Sequence, residues 1–275
     1  MNFIINFIKS TYVEIENVPQ PYGVFHLTFI FLSLLIMVTI CYLSRKSSDK
    51  TFRIVMFCTG LFLILSEIYK QLYYYYAAGG EGYDWYIFPF QLCSVPMYLS
   101  VIVGCMKKNK IRDSICGYLA SIGFLGGIMA YVEPSGILNG QYFTLIHSCV
   151  WHALLIFIAL YILFTNNACK NLGDYKYALI IFGGVVLAAT ALNLIFRDKP
   201  NFNMLYISPF HNSPLAVFSS FDTFFEGILG QYPGRIVSIL IYIFAVASGG
   251  FIIYAADCFV NKKLRSGIPA RIKKA

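Results

Sequence analysis

Seven stretches of roughly twenty mostly apolar residues divide this chain, and each is long enough to cross the ~30 Å hydrocarbon core of a bilayer as a helix. They run over about 24–43, 54–75, 86–106, 114–132, 142–164, 177–196 and 236–259 of the 275 residues. Such runs leave the fold little choice. Inside lipid every backbone N–H and C=O must be bonded within the chain, and for separate apolar runs of this length that selects helices. The expected fold is all-α: a polytopic membrane protein with seven transmembrane helices, forming a single integral membrane domain over 1–275. Composition agrees. Hydrophobic residues make up 58% and charged residues 12%, against about 45–50% and ~25% in soluble domains. A disordered chain and an ordinary soluble enzyme are thereby excluded. The net charge of +8 belongs to loops rather than to a nucleic-acid surface. Residues 1–22 hold one short apolar run, Phe3 to Ile8, followed by Lys9, Glu14 and Glu16. That order does not suit a cleavable signal, and the segment reads as an interfacial lead-in.

Basic residues set the orientation. Of 21 Lys and Arg, sixteen fall in the loops after the first, third and fifth spans and in the tail 260–275, and four fall on the other side. The N-terminus is therefore expected outside and the C-terminus in the cytoplasm, which an odd number of spans requires. Tyr73 to Tyr76 and Trp85 stand where an outer aromatic belt belongs. The long loop 197–235 contains an amphipathic, Phe-rich stretch from Leu215 to Leu229 that reads as lying on the outer membrane surface. Gly123 and Gly127 form a GxxxG, which implies close helix packing and no chemistry.

Few polar groups interrupt the spans, and those that do are expensive in lipid. His26 opens the first, Glu67 lies in the second, Gln91 and Cys93 open the third, His152 lies in the fifth and Asn193 near the end of the sixth. All fall in the outer half, which suggests one shared cavity opening outward. Each also has a plainer reading. Buried His, Glu and Asn serve as interhelical hydrogen-bonding posts, and Glu67 with Lys70 makes a local i,i+3 ion pair with the lysine reaching outward. Seven of the eight cysteines read as small packing residues. Cys93 differs, because Pro89 suits the first helical position. The thiol then falls in the first turn, where the helix dipole supports a nucleophile. His147, Cys149 and His152 have poor spacing for zinc, so no metal is expected. No phosphate-binding glycine loop appears, and 236–259 contains no lysine for a retinal Schiff base. No cofactor is expected.

The run Phe88-Pro89-Phe90-Gln91-Leu92-Cys93-Ser94 resembles the Leu-Pro-x-His-Leu-Cys signature of the YwaF-type bacterial integral membrane proteins. So do His26, Glu67, Ala130 with Pro134, His152 followed by the apolar run Ala153 to Tyr161, Asn193, Asn203 and Leu229-Gly230-Gln231-Tyr232-Pro233. Gln91 stands where that family usually has His, so a second imidazole beside the cysteine is absent. The family is distantly similar to a eukaryotic transmembrane acyltransferase of ether phospholipids and to the androgen-induced membrane hydrolases. The resemblance implies a multi-pass cell-membrane protein acting on membrane lipids. It assigns the nucleophile to Cys93 and the base to His152, with His26, Glu67, Gln91 and Asn193 lining or orienting the pocket.

Two function classes follow. One is a membrane-embedded acyl-transfer or lipid-ester-hydrolysing enzyme that uses a Cys–His pair opening to the outer leaflet. The other is a small-ligand binder or transporter that needs only the polar cavity. Topology can be checked directly. Reporters fused after Lys170 and after Asn139 should read inside and outside respectively, and a shared side would overturn the orientation.

Overall fold

The structure is a computed structural model that describes residues 2–78 and 83–266. Most of the basic tail, 267–275, lies outside the described residues. The chain forms α1 (Asn2–Ser10), α2 (Val24–Leu43), α3 (Asp49–Tyr73), α4 (Val95–Cys105), α5 (Lys110–Tyr118), α6 (Phe124–Val132), α7 (Tyr142–Phe164), α8 (Tyr175–Ile195), α9 (Ala216–Leu229) and α10 (Gln231–Ser266). One π turn, Leu119–Gly123, joins α5 to α6 in a continuous rod. The described residues contain no β-sheet strand, only a single bridge between Glu14 and Gln141. The protein is an all-helical polytopic membrane protein.

Among the described residues six helical stretches are long and apolar enough to cross a membrane: Val24–Leu43, Asp49–Ala77, Lys110–Val132, Tyr142–Phe164, Leu172–Ile195 and Gln231–Lys262. The expected third span, 86–106, is not one helix. Its helical part is the eleven-residue α4, only ~16 Å long. The cause is Pro96. It has no N–H for the Leu92 carbonyl and its ring would clash there, so the helix starts at Val95 with the proline in its first turn. Pro89 is consequently not a helix start, and Cys93 precedes the helix rather than sitting in its first turn.

The rod α5–α6 and helix α7 form the centre. In their apolar windows 67% and 56% of residues are buried, against 17–28% in the other long helices. Tyr118, Leu119 and Ile122 of the rod pack with Trp151, Leu155 and Ile158 of α7 in the main core. The peripheral helices turn Phe31, Leu43, Ile180, Leu187 and Phe244 outward, where only lipid could cover so many large apolar groups. Packing of α4 on α3 is backbone to backbone. A Cβ on Gly104 would stand 2.5–2.7 Å from Phe57, and one on Gly60 would stand 2.8 Å from the Val101 nitrogen.

One buried arginine fastens the end of the bundle that gathers the basic loops. Arg112 is fully buried. It meets Asp49 at 2.8 Å, donates to Asn167 Oδ1 and to the Met106 carbonyl at 3.3 Å, and lies 5.3 Å over the Phe52 ring. It thus ties α3, the end of α4, α5 and the α7–α8 turn together.

The Phe-rich stretch expected on the membrane surface is the helix α9, which runs beside α10. Gly230, at φ 85, turns the chain from α9 into α10. The two helices then run antiparallel, with Glu226 on Arg235 at 2.5 Å and Phe218 against Tyr242 at 4.9 Å. Helix α9 sets Phe218 and Glu226 against α10 and buries Asp222, while Val217, Phe224, Ile228 and Leu229 stay exposed. The glycine contacts give a check. Gly104→Ala should lower stability in detergent by about 1–3 kcal/mol. Gly184→Ala, where nothing lies within 4 Å, should be neutral or stabilising by up to ~1 kcal/mol. Equal thermal unfolding midpoints for the two variants would contradict the α3–α4 contact.

Candidate functional site

Cys93 lies in a non-helical segment, 88–94, set among long helices, and such a segment must find partners for its freed carbonyls. Together with Ile87 just before it, the segment draws them from three helices. Gln71 Nε2 of α3 donates to the Ile87 carbonyl at 2.9 Å, Tyr98 of α4 to Pro89 at 3.0 Å, and Trp151 Nε1 of α7 to Cys93 itself at 3.1 Å. A turn closes the segment, with the Ser94 N–H on the Gln91 carbonyl at 2.8 Å. The Cys93 thiol is free and half-buried.

Two consecutive glycines of α6 let this segment and α7 come close. A Cβ on Gly126 would lie 3.8 Å from the Cys93 Cα, and one on Gly127 would lie 3.4 Å from the His152 carbonyl. Cys93 and the His152 turn therefore approach the same short stretch of α6, while Trp151 bonds Cys93 directly. Of the expected GxxxG, Gly127 makes the close α7 contact and Gly123 faces Pro96 at 3.5 Å. His152 is half-buried, with Nδ1 2.8 Å from the Ser148 carbonyl. A carbonyl only accepts, so Nδ1 carries the proton and Nε2 is left as the basic nitrogen.

Glu67 is buried at 3% exposure. Its Oε1 receives Lys70 Nζ at 2.8 Å and Gln71 Nε2 at 2.6 Å, and Tyr83 donates to Gln71 Oε1 at 2.7 Å. The i,i+3 ion pair of the plainer reading is thus present, and Lys70 Nζ lies 6.0 Å from the Trp151 ring. His147 stacks on Trp151 at 5.3 Å. Among the described residues no three His, Cys, Asp or Glu side chains gather as metal ligands.

Gln91 and Asn193 act on one further element. Gln91 Nε2 donates to the Asn203 carbonyl at 2.9 Å. Asn193 donates to the Met204 carbonyl at 3.1 Å and accepts the Met204 N–H at 2.7 Å. These bonds fasten the loop after α8 as a folded plug. Phe202, Met204 and Leu205 are fully buried, and Phe202 packs on Trp85, Phe88 and Phe196 at 5.1–6.1 Å. Leu205 and Tyr206 adopt left-handed backbone, φ 53 and 59, which side chains rarely tolerate without surrounding support. Arg235 completes the fastening, donating to Glu226, to the Pro209 carbonyl at 3.3 Å and to Asn212 Oδ1. His26 stands apart. It is fully buried and accepts the Tyr22 N–H at Nδ1, 3.1 Å away, while Tyr22 donates its hydroxyl to the Val132 carbonyl. Among the described residues none of its hydrogen bonds or ring contacts reaches Glu67, Cys93 or His152. It braces the start of α2 against the end of α6.

Sequence reasoning passed over Trp151, Gln71, Tyr83 and Arg235. Gln71 follows Glu67 at i,i+4, and Trp151 is one of two tryptophans and adjoins His152, so both carried a usable signal. Arg235 entered only as a topology charge. No curated protein and no solved structure matches the chain. The model of the TMEM164 family matches residues 21–251, which takes in α2 to most of α10 and every residue of this site. The chain belongs to the TMEM164 family.

Proposed function

We propose that the protein is a membrane-embedded acyl-transfer or lipid-ester-hydrolysing enzyme, with Cys93 as nucleophile and His152 as general base, opening toward the outer leaflet. One observation carries this reading. The unwound segment bearing Cys93 is bonded by Trp151 and seated on Gly126, one residue from the glycine that seats His152. The likeness to YwaF-type proteins and their lipid chemistry belongs to the same proposal.

The steps balance without a cofactor. His152 Nε2 takes the thiol proton as Cys93 Sγ attacks the ester carbonyl carbon of a membrane lipid. The tetrahedral intermediate collapses, the ester C–O bond breaks, and the departing alcohol oxygen takes the proton back from His152. The acyl group is now a thioester on Cys93. A second lipid hydroxyl, or water, gives its proton to His152 and attacks the thioester, and the thiol leaves with that proton. Lys70, held by Glu67 and 6.0 Å from the Trp151 ring, is the cation assigned to oxyanion stabilisation. Asn193 does not hold the oxyanion, since its amide oxygen and nitrogen both bond Met204. Asn193 and Gln91 position the plug.

A second reading has an observation of its own. Glu67 Oε2 and Gln91 Oε1 are buried acceptors without protein partners, and a ligand's hydroxyl or ammonium would satisfy them with no nucleophile involved. The two readings part at Cys93. A lipid-like chloroacetamide should label Cys93 in detergent-free membranes, and His152→Ala should slow labelling by about 10²-fold. Buried Cys149 on α7 serves as control. Equal, slow labelling of Cys93 and Cys149, with Cys93→Ser leaving the cell's lipid acyl profile unchanged, would remove the enzyme reading and leave the binder.

A further inference from the structure

The plug after α8 is held in two different ways along its length. Its far end is fastened by charge. Arg235 of α10, itself bonded to Glu226, donates to the Pro209 carbonyl at 3.3 Å and to Asn212 Oδ1. Asn203 ties the rest of the plug to that end from within. Its amide donates to the His211 and Asn212 carbonyls at 3.4 and 3.2 Å, and its Oδ1 accepts the Ser208 N–H at 2.8 Å. Residues 203–212 thus form one internally bonded unit mounted on Arg235. The contacts that seat this unit in the bundle are of another kind, since residues 200–210 include no charged side chain. Asn193 bonds Met204 at 3.1 and 2.7 Å, and the Gln91 amide meets the Asn203 carbonyl at 2.9 Å. Phe202 lies 5.4 Å from Phe88, and the Tyr86 and Tyr206 hydroxyls touch at 3.5 Å. Phe88 and Gln91 belong to the segment that carries Cys93, so the unit rests on that segment directly.

Seating leaves two costs in place. Leu205 and Tyr206 keep left-handed backbone, at φ 53 and 59, a conformation that bulky residues hold only under constraint and that gathers at switching segments. Gln91 spends its amide N–H on the plug while its Oε1 stays buried without a partner, a state that carries a desolvation penalty. We propose that residues 202–212 form a lid over the Cys93 segment, which opens by releasing Asn193 and Gln91 and keeps Arg235 as its mount. The neutral bonds break together, and the charged ones need not break at all. Opening frees both sides of the Gln91 amide, a donor and an acceptor, for an incoming polar group. The lid governs access alone. It serves an ester that reacts at Cys93 and a ligand that only binds there.

The test reads thiol access rather than turnover. The full chain in nanodiscs is treated with N-ethylmaleimide, and alkylation of each cysteine is followed by peptide mass spectrometry. Asn193→Ala removes both Met204 bonds and should speed alkylation of Cys93 by about tenfold. Asn261→Ala removes another buried asparagine, one that bonds the Ala168 and Cys169 carbonyls of the α7–α8 turn at 3.1 Å, and should leave the Cys93 rate unchanged. Buried Cys149 reports loosening of the whole bundle and should stay slow in both variants. Hydrogen exchange of the unaltered chain is the second arm and does not depend on any variant folding. Segment 202–207, whose Met204 N–H is bonded to Asn193, should open ahead of α8. The lid is overturned if Asn193→Ala leaves the Cys93 rate unchanged, if Asn261→Ala raises it as much, if Cys149 rises in step, or if 202–207 exchanges only together with α8. Since N-ethylmaleimide alkylates any accessible thiol, these outcomes do not depend on whether Cys93 turns over an ester.

Discussion

Everything about the Cys93 region depends on how an unwound backbone survives at membrane depth. A carbonyl without a partner in hydrocarbon costs several kcal/mol, and segment 88–94 frees several at once. The protein answers with side chains placed on three different helices: Gln71, Tyr98 and Trp151. Two of them have a second duty. Gln71 bonds Glu67, and Trp151 lies beneath Lys70 and against His147. The groups that satisfy the backbone thereby also hold Glu67 and wall in Lys70 and His147.

The plug after α8 extends the same logic. Its backbone includes two successive left-handed residues that local preference disfavours. Asn193, Gln91 and Arg235 over-determine it from three directions. Arg235 and Arg112 play matching parts at the two ends of the bundle, each a nearly dry guanidinium whose forked donors collect carbonyl, amide and carboxylate oxygens from separate elements. Removing one such group would strand its partners in a place water does not reach.

The architecture was largely legible because lipid imposes it: runs of apolar residues near twenty long become helices, and six of the seven expected spans correspond to long helices. The exception turns on one residue. Pro96 and Pro89 were both visible, but a composition window sees the apolar length of 86–106 and not the hydrogen bond that Pro96 cannot make. The stretch 215–229 was legible as an amphipathic helix, but its pairing with α10 depends on Gly230, Gly234 and Arg235 together, a long-range fact. At the site, Cys93, His152 and Glu67 stood out as polar groups in apolar surroundings. Their supports did not, since a glutamine beside an aromatic belt or a tryptophan in a span looks ordinary until the carbonyl it bonds is known.

The α9–α10 hairpin bears on how such a chain is made. Helix α9, at fourteen residues, is ~21 Å long, too short to span alone and too apolar to rest in water. It leaves the ribosome before the helix it pairs with. Its partner residues, Arg235 and Tyr242, emerge only after the Gly230 turn, so α9 cannot reach its final place until the start of α10 has followed it.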